Sequence, residues 1–198
     1  MTLVDVTLAG WVAIMWTLAL IGARRRGIDL GKAAHLWVPL AAACTILAAR
    51  SGGMHCGLTI GAVSVAAIVD ARSGYIFDSL VAAGMLATLA ADALEGSLRG
   101  LSGGALTFLL LLSLWIFTGG RGLGFGDVKL AAVIGAGFGP IDGPAAIGVA
   151  FVLGAGVSLT MVAAGRLDRK DPVQFGPYLL AGSLCDLAYQ RLTTGVFA

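Results

Sequence analysis

The sequence predicts an all-α integral membrane protein, a polytopic helical bundle of about eight transmembrane helices. Three observations carry this. Apolar residues make up 58% of the chain and charged residues 12%, too little polar surface to cover the core of a soluble domain. The mean hydropathy is strongly positive. The apolar residues also fall into successive runs separated by charged or Gly/Pro-rich breaks, as membrane spans do.

The first run, Leu3 to Gly22, is followed by Arg24-Arg25-Arg26. A signal peptide carries its positive charge before the apolar stretch, so this segment reads as a retained span. Further spans are expected near 34–50, 57–71, 76–93, 101–118, 128–141, 144–165 and 176–192. Several are shorter than the roughly 20 residues that cross a bilayer upright. If the third or the sixth is not a separate span, the count is seven. The connections are short, no repeat is evident, and residues 1–198 read as a single transmembrane domain.

Basic residues test the layout. The loops after spans one, three, five and seven hold Arg24, Arg25, Arg26, Lys32, Arg72, Arg121, Lys129, Arg166, Arg169 and Lys170. The other side holds Arg50, Arg99 and Arg191. The positive-inside bias makes the first set cytoplasmic and puts both chain ends outside.

Some functions are excluded at this level. No basic stretch is long enough to track phosphates, so no nucleic-acid partner is expected. Cys44, Cys56 and Cys185 form no C-x-x-C pair, and His35 and His55 are far apart in sequence, so no metal site is expected. The glycines of Gly122-Leu123-Gly124-Phe125-Gly126 follow no strand and lack dinucleotide-binding spacing. Most other glycines suit close helix packing. Trp11, Trp16, Trp37 and Trp115 read as lipid contacts or interface anchors.

The acidic residues point to chemistry. Asp70 ends the run Ala66-Ala67-Ile68-Val69, and Asp127 follows Gly124-Phe125-Gly126. Both fall at span ends on the basic side. An ionisable residue at a span is costly to bury and is a functional candidate for that reason. Two carboxylates at matching depth can divide the work of peptide hydrolysis, one taking a proton from water and the other polarising the carbonyl. The glycines before Asp127 leave room for a substrate backbone. A second reading stays open, in which the aspartates are interfacial charges paired with Arg72 and Lys129. Asp78 is expected to cap the fourth helix. Asp186 reads as a packing hydrogen bond or a partner of Arg191, with a third buried acid as the alternative. Pro177 suits the first turn of the last helix.

The motif Gly124-Phe125-Gly126-Asp127-Val128-Lys129 resembles the G-x-G-D-x-K motif of the type IV prepilin peptidase family, a branch of the GxGD aspartic proteases. Asp70-Ala71-Arg72 followed by Tyr75-Ile76-Phe77-Asp78 is similar to that family's first catalytic segment, with Phe77 where proline is usual. Phe175-Gly176-Pro177-Tyr178 resembles the opening of its last helix. The resemblance spans roughly residues 40–190. It implies that Asp70 and Asp127 are the catalytic pair, supported by Arg72, Gly124, Gly126, Lys129, Phe175, Gly176 and Pro177. It implies removal of a short basic leader from prepilin or pseudopilin precursors, after a glycine, at the cytoplasmic face of a bacterial membrane. No metal or organic cofactor is required by that chemistry. Many members carry an inserted domain with two C-x-x-C pairs that serves N-methylation. The loop from Arg24 to about Ala33 has no cysteine, so peptidase activity without the methyltransferase is expected. Val69-Asp70 departs from the Tyr-Asp pair of presenilin-like proteases. Alternatives are processing of Flp-type or archaellin-like precursors, a catalytically dead scaffold, and a small proton- or cation-coupled transporter, although the internal repeats common in transporters are not evident.

Overall fold

A computed structural model describes residues 2–166, 168 and 173–195. Arg169 and Lys170, counted above with the basic loops, lie outside the described residues. The described chain is helical with short connections: α1 (Leu3–Arg25), a 3-10 helix (Lys32–Trp37), α2 (Val38–Gly52), α3 (Met54–Ser73), α4 (Asp78–Leu94), α5 (Arg99–Phe117), α6 (Phe125–Ala163) and α7 (Gly176–Gly195). Five helical stretches are long and apolar enough to cross a membrane by length and composition. The protein is an all-α helical membrane protein.

The 39 residues of α6 would run about 58 Å as a straight helix, nearly twice the hydrocarbon thickness. They do not run straight. Gly139 has φ 87° and ψ −176°, a conformation reserved almost entirely for glycine. The chain reverses there. A Cβ added at Gly143 would lie 2.8 Å from the Gly135 Cα, whereas eight residues of straight helix would separate the two by about 12 Å. Pro140 directly follows the break, where its missing amide proton is tolerated as in any first helical turn, and Pro144 lies one turn further on. The two arms, 125–138 and 140–163, are the sixth and seventh expected spans. The expected break near 142–143 moves back to Gly139, because the backbone dihedral and not the local polarity sets it. Gly139→Ala is expected to cost about 1–3 kcal/mol, read as a lower unfolding midpoint in detergent.

The reversal packs against α5 through small residues. Gly103 approaches Gly135 and Gly139 so closely that any side chain would collide with backbone, and Gly104 meets Ala132 and Ala136. Thr107 satisfies its hydroxyl on the Gly103 carbonyl at 2.9 Å. Lipid offers no hydrophobic drive between helices, so close backbone approach and interhelical hydrogen bonds hold such contacts.

α3 is the central helix, buried along most of its length, while the other candidate spans expose most of theirs. It is the third expected span, one of those whose apolar run is short. Its ends carry His55 and Asp70-Ala71-Arg72, and surrounding helices rather than lipid cover it. Gly57 lies against Ala49 of α2, and Gly61 against Trp11 of α1 and Thr45 of α2. Trp11 donates its indole N–H to the Leu58 carbonyl at 3.0 Å, and Trp16 donates to His35 Nδ1 at 3.0 Å. The expectation of a lipid or interface anchor is corrected for Trp16, which is buried, whereas Trp11 is half-buried; a buried indole N–H needs an acceptor, and neighbouring elements supply it.

The helix ends segregate into two groups, as the alternation of spans requires. At one end Arg50 of α2 pairs with Asp5 of α1 at 2.8 Å. Gly52, Glu95, Arg99, Gly139 and Asp142 line one polar cavity at that end, together with Gln190. At the other end the Arg26 guanidinium sits over the Tyr75 and Phe77 rings, 5.2 and 5.7 Å from their centroids. Lys129 pairs there with Asp78, and Gly176 meets Asp70. Asp186 accepts a hydrogen bond from Gln190 Nε2 one turn later in α7 at 2.7 Å, a bond within its own helix in place of the helix-packing bond or Arg191 pairing expected of it.

Candidate active site

α3 runs through Asp70 to Ser73 and stops at Gly74, whose φ of 65° is left-handed. Its amide caps the Asp70 carbonyl at 2.7 Å, a helix end that glycine favours because it lacks a Cβ. Asp70 is therefore held on the last regular turn, 5% exposed. The following turn enters α4 through Phe77, which has φ −76° and ψ 131°. That φ is within the range of proline, so phenylalanine in the place of proline leaves the turn unchanged. The ring of Phe77 is buried and abuts Gly22 of α1, where an added Cβ would lie 2.9 Å from it. This contact ties the turn to the first helix.

Asp127 is reached from the opposite direction. Gly124 is the N-cap of α6, and Asp127 is the third residue inside it. From that position a carboxylate folds back onto the N-cap amide, half of a capping box. Gly124 supplies that backbone hydrogen bond, and a Cβ at Gly124 would lie 2.9 Å from Asp127 Oδ2. Asp127 is 8% exposed. Its other oxygen, Oδ1, is buried with no hydrogen-bond partner. A buried acceptor without a donor is costly and marks a place where water or a ligand belongs.

The third contribution comes from α7. The Gly176 amide, one of the free N–H groups that open this helix, donates to Asp70 Oδ2 at 2.9 Å. A Cβ at Gly176 would lie 2.9 Å from the same oxygen and 3.0 Å from the Asp70 Cβ, so only glycine lets α7 come this close. Asp127 lies within electrostatic reach of Asp70. The structure thus gathers Asp70, Asp127, Gly124 and Gly176 at one end of the bundle. Gly126 presses on Ile76, with an added Cβ 3.1 Å from the Ile76 Cβ, which joins the two aspartate-bearing segments.

The remaining motif residues support from further out. Phe175 stacks on Phe151 at 4.7 Å between centroids and near Tyr178 at 6.1 Å, and Pro177 sits in the first turn of α7. Arg72 is exposed, its guanidinium beside Gly31. Lys129 pairs with Asp78 Oδ1 at 2.6 Å and lies over the Phe125 ring at 5.0 Å. The reading of Asp70 and Asp127 as partners of Arg72 and Lys129 is corrected: among the described residues neither aspartate is in an ion pair. The expectation that Asp78 caps α4 is also corrected. Phe77 is the N-cap, no side chain caps it, and Asp78 is in the first turn. There it is exposed enough to reach Lys129. Asp78 and Ile76 were not singled out from the sequence as links between the two segments. The only signal was that Asp78 and Lys129 both stand in first turns on the basic side.

A polytopic helical membrane protein with two buried carboxylates within electrostatic reach of each other at the ends of separate helices is the class that fold and site define. The chain belongs to the type IV leader peptidase family, whose profile matches residues 57–159. A prepilin leader peptidase/N-methyltransferase of Burkholderia pseudomallei (strain 1026b) is 34% identical over 177 residues, covering 85% of this chain and 56% of that protein. The protein of that name from Bacillus subtilis (strain 168) is 40% identical over 96 residues, covering 48% of this chain and 38% of its own length. One from Stutzerimonas stutzeri is 37% identical over 115 residues, covering 56% of this chain and 37% of that relative. The matched segments thus span 56% of the length of the Burkholderia relative and less than two fifths of the other two. No solved structure gives a significant match.

Proposed function

We propose that this protein is a membrane aspartic endopeptidase that removes the leader from prepilin or pseudopilin precursors, with Asp70 and Asp127 as its catalytic pair. The observation that carries this reading is the unpartnered, buried Asp127 Oδ1, within electrostatic reach of an Asp70 that the Gly176 amide holds in place. In the proposed reaction Asp127 Oδ1 accepts a proton from water as the water oxygen adds to the scissile carbonyl. Asp70 gives its proton to the carbonyl oxygen. The tetrahedral intermediate then collapses: the C–N bond breaks, the proton held on Asp127 goes to the leaving amine, and one hydroxyl of the intermediate returns a proton to Asp70 as the new carboxyl group forms. The reaction consumes one water and needs no redox partner. Residues 1–198 act as one peptidase domain in this reading.

The family resemblance and the names of the relatives support prepilins as substrates. The basic residues at the Asp70/Asp127 end support a site at the cytoplasmic face of a bacterial inner membrane. In a variant lacking Cys44, Cys56 and Cys185, single cysteines at positions 26 and 121 are expected to react only from the cytoplasm, and those at 97 and 142 only from outside. Labelling of 26 and 97 from one side would refute the sidedness. The test of activity is co-expression with a candidate prepilin and a gel shift that reads leader loss. Full-length precursor remaining with every prepilin and pseudopilin offered would refute the substrate class.

A further inference from the structure

Residues 74–77 join α3 to α4 just beyond Asp70, and this turn is gripped from two sides. Phe77 is extended, with φ −76° and ψ 131°, and an extended chain sends successive side chains to opposite sides. Ile76 meets the start of α6: an added Cβ at Gly126, the residue before Asp127, would lie 3.1 Å from the Ile76 Cβ. Phe77 meets α1 instead. It is 3% exposed, and its ring fills a notch that exists because residue 22 has no side chain. A Cβ at Gly22 would lie 2.9 Å from Phe77 Cδ2, 3.0 Å from Cγ and 3.3 Å from Cε2. Arg26, the residue that ends α1, holds its guanidinium over the rings of Tyr75 and Phe77 at 5.2 and 5.7 Å, within reach of a cation–π contact.

The turn is thereby wedged between α1 and the first turn of α6, which carries Asp127. α1 is a firm support, since Trp11 donates to the Leu58 carbonyl of α3 and Asp5 pairs with Arg50 of α2. Cγ is one bond from the Phe77 Cβ, so the ring cannot swing clear of residue 22 unless the backbone moves. Two devices hold a turn of this kind: the covalent lock of a proline, or a contact from outside. The φ of Phe77 is one that proline fixes by its own ring. The Phe77 amide donates to no backbone carbonyl among the described residues, so a proline would cost no such bond. This chain uses the contact with α1.

Resting on the peptidase reading above, we propose that Phe77 is a positioning residue for the aspartate pair and that Gly22 of α1 is its seat. Neither residue touches the reacting atoms. The seat fixes how far the turn stands from α6, and through the turn it fixes the approach of the Asp70 end of α3 to Asp127. The first helix then serves the chemistry as well as the bundle.

The test uses the full chain in detergent with a purified prepilin and compares Gly22→Ala with Gly10→Ala. Both positions lie inside α1 and gain the same helix propensity, but nothing lies within 4 Å of a Cβ at Gly10. Gly22→Ala is expected to lower kcat roughly tenfold or more with KM little changed, as a misalignment felt in the transition state does. Gly10→Ala is expected to cleave as the wild type does. Adding Phe77→Pro to Gly22→Ala is expected to restore most of the lost kcat, because the pyrrolidine ring does not reach residue 22 and holds φ by itself. A contact that served stability alone would lower the unfolding midpoint and leave kcat per folded molecule unchanged. If Gly22→Ala does not fold, Phe77→Ala takes its place: its kcat is expected to fall, and that of Phe77→Pro to exceed it. Equal kcat for Gly22→Ala and Gly10→Ala, a loss confined to KM, or a loss that Phe77→Pro does not relieve in either background would overturn the proposal and leave the peptidase reading standing. A wild-type protein that cuts no prepilin overturns both.

Discussion

Asp70→Asn and Asp127→Asn are each expected to abolish leader removal while the protein still inserts and folds. Asparagine keeps the shape of the side chain and an acceptor oxygen, so the Gly176 amide retains a partner at position 70 and the Gly124 amide retains one at position 127. What is lost is the ability to take or give a proton. General acid–base groups contribute up to roughly 10⁴-fold each. In the proposed mechanism the two carboxylates act on one water and one carbonyl, so their effects are not additive. The double variant is expected to be no slower than either single one. The measurement is the rate of leader loss from a purified precursor in detergent or proteoliposomes. Near-normal cleavage by either well-folded single variant would remove that residue from the mechanism.

The second large effect is expected at Gly176. Alanine there puts a Cβ 2.9 Å from Asp70 Oδ2 and 3.0 Å from the Asp70 Cβ. The contact lies at the start of α7 against the last turn of α3, where no long flexible side chain can swing away. Either the carboxylate rotates or the helix opening backs off, and the 2.9 Å hydrogen bond to the amide lengthens. A displacement of about 1 Å at a reacting group costs on the order of 10²-fold. Gly176→Ala is therefore expected to lower kcat/KM by at least about 10²-fold while the chain keeps its helical content. Gly148→Ala is the matched control. Nothing lies within 4 Å of a Cβ there, the position is within α6, and activity is expected to be unchanged. If Gly176→Ala cleaves as well as Gly148→Ala, the α7 amide is not what positions Asp70.

The two variants also separate chemistry from placement. Asp70→Asn leaves the approach of α7 to α3 intact and removes the proton. Gly176→Ala leaves the proton and disturbs the approach.

The sequence by itself determined the membrane class, the order of the spans and the sites of the motifs, because these depend on local properties. Apolar runs set where the helices are, and the polar ends of Met54–Ser73 set where α3 stops. The skew of arginine and lysine anticipated which helix ends lie together, and the contacts among Arg26, Tyr75, Phe77, Asp78 and Lys129 join three of those ends. The motif around Asp127 was legible down to the glycine that becomes the N-cap.

Only the tertiary structure decided how the parts meet. Hydropathy treats every apolar helix alike, so it could not mark α3 as the protein-covered centre or identify Trp11 and Trp16 as donors within the bundle. The reversal at Gly139 depends on one backbone dihedral, and thirty glycines in the chain hide which of them carries it. Gly176 meets Asp70 across 106 residues, and Asp78 meets Lys129 across 51. Such contacts are set by which helices pack together, and packing in lipid is decided by backbone approach at small residues and by hydrogen bonds between helices. The place of α5 has the same origin: it is drawn to α6 by Gly103, Gly104 and Gly135, and no local pattern in either α4 or α5 records that α5 packs there rather than on α4.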